Sequence, residues 1–128
     1  PASPKKTLLK GKIPILNKKD AQKFELLGGG VRWTILDYQK GSESLWVGDL
    51  SLPPGGSVET HIHKTEEAMV VIQGELDAIL GDEVIKVSEG ETVLAPKGIR
   101  HALINNSNNI ARVIAIFPTS KMEKTSVD

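Results

Sequence analysis

The stretch "GGSVETHIHKTEEAMVVIQG", Gly55 to Gly74, holds two of the chain's three histidines one residue apart, then a pair of glutamates and an apolar run. In an extended strand, residues i and i+2 share a face, so His61 and His63 project side by side. Glu67 follows across the small break "KTE", where it can open the next strand. The third histidine, His101, is remote in sequence, in "PKGIRHALIN". There Pro96 and Gly98 make a tight turn that delivers His101 to a strand start. Polar side chains on ordinary surface strands account for this pattern as well as a shared site does. Brought together, three imidazoles and a carboxylate suit a borderline divalent metal and leave positions free for water, substrate or oxygen.

Around this stretch the chain reads as short strands cut by turn signals: "VRWTILDY", "LWVGDLSL", "AMVVIQ", "ELDAIL", "VIKV", "TVLAP", "HALIN" and "ARVIAIF". The runs are short, rich in Val and Ile, and bounded by Gly, Pro or Asp. After residue 24 no segment carries the 3.6-residue period of a core helix. Turns at regular short spacing predict an all-β sandwich or barrel. The one competing signal is a helical turn around "NKKDAQKFELL". The glycines of "LLGGGVRW" match neither the dinucleotide fingerprint nor the P-loop and read as a flexible turn.

Two spans then resemble the motifs of the cupin family. Gly55, His61, His63, Glu67 and Gly74 fill every fixed position of the first motif, and Gly90, Pro96, Gly98, His101 and Asn105 fill every fixed position of the second. The resemblance implies a small single-domain cupin of the cupin-2 conserved-barrel type. Its fold is a double-stranded β-helix, a jelly-roll barrel of six to eight strands, with one metal inside its mouth. The family's ligands carry over onto His61, His63, Glu67 and His101, holding one divalent ion among Mn, Fe, Ni, Cu, Co and Zn. The expected division is an N-terminal arm over 1–23 that can serve as a swapped or edge strand, the barrel over 24–120, and a C-terminal tail over 121–128.

Alternation extends the site. If Glu67 and His101 face inward, so do Met69, Val71, Leu103 and Asn105, giving an apolar pocket floor or simply barrel core. Trp46 alternates with Gly48, Leu50 and Leu52 and is placed to wall the cavity or a dimer contact. Arg100, beside His101, is a candidate for the rim, where it would grip an anionic substrate. Asn105 is expected to hydrogen-bond turn backbone, and Glu66 to face away.

Composition narrows the partners. The chain has 128 residues, 16 basic against 16 acidic, and no cysteine, which suits one domain and leaves no disulfide or thiolate site. Balanced charge argues against nucleic acid as a partner. The first 23 residues nevertheless hold seven lysines against Asp20 alone. No apolar run reaches membrane-span length, so neither membrane nor export is expected and the cytoplasm is the expected location. A homodimer is expected, with "LLKGKIPIL" adding a strand to a partner's sheet.

Function follows from the site. The leading expectation is a metal-dependent enzyme on a small organic substrate, with quercetinase-like dioxygenase chemistry foremost and Glu67 as the base. A redox-neutral sugar isomerase, epimerase or decarboxylase is the alternative, as is a non-catalytic cupin that binds metal or ligand.

Overall fold

A computed structural model describes residues 15–127. Within them, eleven strands account for nearly all regular structure: β1 (Gln22–Glu25), β2 (Val31–Leu36), β3 (Trp46–Leu52), β4 (Ser57–Ile62), β5 (Glu67–Gln73), β6 (Glu75–Leu80), β7 (Glu83–Ser88), β8 (Thr92–Ala95), β9 (His101–Ile104), β10 (Ala111–Phe117) and β11 (Thr125–Ser126). They form two antiparallel sheets, ordered β1-β2-β3-β10-β5-β8 and β11-β4-β9-β6-β7. This is the expected all-β double-stranded β-helix. It has more strands than expected because short strands from both ends of the chain join the sheets.

The sheets face each other across a core of Leu50, Leu52, Met69, Val71 and Val113 from one and Leu76, Ala78, Val87 and Leu103 from the other. Alternation places these side chains. Along β5, Glu67, Met69 and Val71 are buried and the residues between them are not, as a half-buried strand requires. Each large apolar side chain buried this way contributes about 1.5–3 kcal/mol.

The two motif strands are zipped at both ends. At one end Gly55 N–H donates to Asn105 O and Asn105 N–H to Gly56 O, both at 2.8 Å. At the other, Gly98 N–H donates to His63 O at 2.9 Å. Between them β4 pairs with β9, with a register shift between Val58 and His61 that leaves His61 opposite His101. Such a bulge re-aims the side chains beyond it.

The chain's ends depart from the sequence reading. The helical signal at "NKKDAQKFELL" becomes a 3-10 turn, Lys18–Asp20, and then β1, which straddles the expected boundary at residue 23. Lys18 Nζ lies 3.1 Å from Asp49 Oδ2, which also accepts from Arg112 at 2.6 Å. Asp49 is thus a buried carboxylate with two cationic partners, as burial of a charge demands. Most of "LLKGKIPIL" lies outside the described residues; its described end, Ile15 and Leu16, is exposed. In the expected tail, β11 pairs with β4 through Thr125–Ile62 and Ser126–His61. Among the described residues, no helix is long and apolar enough to cross a membrane.

Two glycines serve close approaches. The triple-glycine turn packs tightly, because a Cβ on Gly28 would lie 2.0 Å from Ser57 O. Gly74 turns the chain from β5 in one sheet to β6 in the other at φ +76°, and a Cβ there would meet Ile110 O at 2.6 Å. Gly74→Ala therefore combines left-handed strain with a backbone clash. Urea unfolding should show a loss of about 2 kcal/mol or more, and an unchanged midpoint would refute this account of the corner.

Candidate metal centre

His61 comes from the end of β4, His63 from the residues just after it, Glu67 from the first position of β5 and His101 from the first position of β9. All four are buried, each 7% exposed or less. One ligating atom from each lies within 4.8 Å of the others. The imidazole centroids are 4.7 Å apart for His61–His63 and 4.3 Å for His61–His101. Glu67 reaches the histidines from the opposite sheet: its Oε1 lies 2.8 Å from His101 Nε2 and 3.6 Å from His63 Nε2.

The backbone decides which nitrogen each ring presents. Nδ1 of His61 donates to Glu59 O at 2.7 Å, Nδ1 of His63 to Glu123 O at 2.6 Å, and Nδ1 of His101 to Ile99 O at 2.9 Å. A carbonyl can only accept, so each Nδ1 carries the proton and each Nε2 is turned toward the centre. Metal-ligating histidines are commonly oriented by such outer hydrogen bonds. The cluster fits a borderline divalent ion in donor type, convergence and tautomer, and could hold one.

Electrostatics separate the three rings. Burial lowers His61 to about 4, against a partial rise from the Glu59 carbonyl, with His101, His63 and Lys124 pushing it down further. Burial also lowers His63, outweighing its bond to Glu123 and the charge of Glu67. His101 goes the other way. Burial pulls it down, but its hydrogen bond to Glu67, its bond to Ile99 and the Glu67 charge together raise it above the ordinary value.

The cluster opens onto a cavity walled chiefly by apolar side chains, among them Leu50, Met69, Leu103, Val113 and Phe117. Trp46 walls it too: its ring lies over Gly48, where a Cβ would come within 2.4 Å of it. Trp46 also packs edge-on against Phe117, which sits 4.5 Å from His63. Met69, Leu103 and Trp46 thus line the cavity. Val71 does not; it is buried in the core between the sheets. Arg100 does not either. The residue before an inward His101 alternates outward, and its guanidinium reaches Asp82 at 3.4 Å on the outer surface. Asn105, fully buried, donates to Leu52 O and Asn109 O.

Phe117, Arg32, Met122 and Lys124 are among the wall residues that escaped sequence reading. Phe117 lies on a strand that was legible, in the inward phase of Val113 and Ala115. Arg32 is a single charge on a strand next to the sheet edge, without any motif. Met122 and Lys124 come from the supposed tail, and Glu123 between them supplies the His63 acceptor. No local pattern marks those three.

A family model described as "Cupin domain" matches residues 48–117. The tetracenomycin polyketide synthase protein TcmJ of Streptomyces glaucescens is 30% identical over 88 residues, 68% of this chain and 59% of that protein. Protein SchB of Streptomyces halstedii is also 30% identical, over 68% of this chain and 64% of its own length. The chain thus spans about three fifths of the length of these curated relatives. Among solved structures, the polyketide cyclase RemF from Streptomyces resistomycificus superposes with a TM-score of 0.78 at 18% identity, covering 91% of this chain and 87% of that one. A Lactobacillus farciminis oxalate decarboxylase reaches 0.78 at 18% identity, over 85% of this chain and 34% of the decarboxylase. At such identity the structural likeness concerns the fold.

The tautomer assignment is open to measurement. Imidazole nitrogen shifts of the metal-free protein should show His61 as a neutral Nδ1–H ring at pH 6, taking a second proton only near pH 4, and His63, when neutral, as the same tautomer, protonating below the ordinary imidazole value. Because the folded value of His61 is depressed, the unfolded chain binds that proton first. The stability due to neutral His61 is therefore intact above pH 6.5 and lost as pH falls toward 4. An Nε2–H tautomer at either ring would contradict the assignment.

Proposed function

The chain belongs to the cupin family, and from that membership we propose that it is a metal-dependent enzyme acting on a small organic substrate. The observation that carries the reading is one buried point where three Nε2 atoms and a carboxylate converge beside an apolar cavity. His61, His63, Glu67 and His101 would hold the ion, and the donor set suits Mn, Fe, Co, Ni, Cu or Zn. Such an ion supplies Lewis acidity toward a substrate oxygen and, where redox-active, electron exchange.

The residues supply the rest. The Nδ1 bonds keep the rings aimed during turnover. Leu50, Met69, Leu103 and Phe117 exclude water and favour an apolar substrate body. Glu67 is the carboxylate positioned to accept a proton from substrate through Oε1, with His101 to share its charge.

Redox-neutral chemistry now stands first. TcmJ is named for a polyketide synthase and RemF as a polyketide cyclase, which favours a substrate with ketone or enol oxygens and a reaction that moves a proton without consuming oxygen. The dioxygenase reading stands second, supported by the water-excluding walls. A homodimer remains part of the proposal, expected as twice the chain mass in light scattering; a monomer would remove it.

Metal analysis of protein purified without chelators or nickel resin tests the site. About one equivalent per chain, lost in His61→Ala, is expected; no metal after reconstitution with each ion would sink the enzyme reading. The loaded enzyme is then offered poly-β-ketones and flavonols in sealed anaerobic and aerobic vessels. Turnover without oxygen supports the first chemistry, and turnover that needs oxygen replaces it with the second.

A further inference from the structure

Arg32, on β2, lines the same cavity as the histidine cluster. Its guanidinium carbon lies 4.5 Å from the Phe24 ring centroid and 5.4 Å from that of Trp46. Its Nε is a buried donor with no acceptor. Among the described residues it forms no ion pair, whereas the buried Asp49 has two cationic partners and the buried Glu67 lies against two histidines. Buried charge is costly unless paired, so an arginine held half-buried at a cavity wall without a carboxylate calls for an anion from elsewhere. Burial alone lowers its pKa, consistent with no opposing charge nearby.

A second cation points into the same space. Lys124 lines both this cavity and a surface groove of about 780 Å³ that His63 also borders. It has no ion pair among the described residues, and its charge is felt at His61 and His63. Among the described residues, Glu67 is the one carboxylate lining the cavity. The two cations therefore leave an excess of positive charge, which a divalent ion would increase.

The aromatic row gives the direction. From Arg32 to Trp46, Phe117 and His63, successive separations are 5.4, 5.3 and 4.5 Å. A guanidinium stacked on rings keeps its fork in one plane, which suits two parallel bonds to a carboxylate. We propose that Arg32, assisted by Lys124, forms an anion subsite of this cavity, and that the ligand is a small organic carboxylate with an apolar, ring-sized body. The acid binds at Arg32 and the body lies along Trp46 and Phe117, bringing the opposite end to the histidine cluster. This deepens the enzyme reading above and rests on it for what happens at that end.

The test is calorimetric binding, not turnover. Metal-free and zinc-loaded protein are titrated with benzoate, salicylate and 2-naphthoate, each paired with its neutral amide. At least one acid should bind about tenfold more tightly than its amide. Arg32→Gln should abolish that preference while changing amide affinity less than about twofold, and Arg32→Lys, which keeps charge without the fork, should restore only part of it. Lys124→Gln, at an exposed position, should weaken the acids about threefold and supplies the test if Arg32→Gln fails to fold. The proposal is overturned if no acid outbinds its amide, if Arg32→Gln weakens acid and amide equally, or if neither the Arg32→Lys nor the Lys124→Gln variant alters the preference. The metal-free arm separates the two readings: failure to bind metal or turn over leaves an arginine-dependent acid preference standing.

Discussion

The pairing of β4 with β9 is the constraint on which the site depends. These strands carry His61 and His101, with His63 directly after β4, and the bonds at Gly55, Gly56 and Asn105 at one end and at Gly98 and His63 at the other hold their register. A slip of one residue would turn a strand's side chains to the other face. The bulge between Val58 and His61 then sets His61 against His101 instead of continuing the regular ladder. Asn105 locks the opposite end, beside Gly55 and Gly56, since its buried amide ties β3, through Leu52, to the loop before β10.

Preorganisation is the second feature. Three imidazoles packed within 4.3–5.4 Å of one another would repel if protonated, and burial already disfavours the charge on His61 and His63. Only His101, with Glu67 at 2.8 Å, moves the other way. His61 and His63 therefore meet a cation with their Nε2 lone pairs already aimed inward, while His101 first gives up the Nε2 proton it donates to Glu67, so little reorientation remains for binding.

The ends of the chain complete what the motifs begin. β11 closes over β4, and the segment before it places a carbonyl on His63 and the side chains of Met122 and Lys124 over the cavity. At the other end, β1 brings Phe24 beneath Arg32, while Lys18 bonds to Asp49 and stacks on Trp33 at 4.0 Å. Inside the same sheet, charged groups also meet partners distant in sequence: Asp49 pairs with Arg112 across β3 and β10.

The sequence by itself determined the fold class and the four converging side chains. Short β-branched runs between Gly and Pro leave a sheet as the only way to bury them, and two complete motifs place His61, His63, Glu67 and His101 at strand ends. Period-2 reasoning also reached Met69, Leu103 and Trp46, because alternation holds within a strand. It failed where a residue's partner lies on another element. Val71 has the inward phase but lies in the core without lining the cavity, and Arg100 adjoins a ligand but turns out to Asp82. Only the tertiary structure decided the His63 acceptor, the cavity walls at Met122 and Lys124, and the unpaired setting of Arg32. The reason is physical: a strand's period says which face a side chain takes, while burial and charge compensation depend on what the opposite sheet and the chain's ends bring to that face.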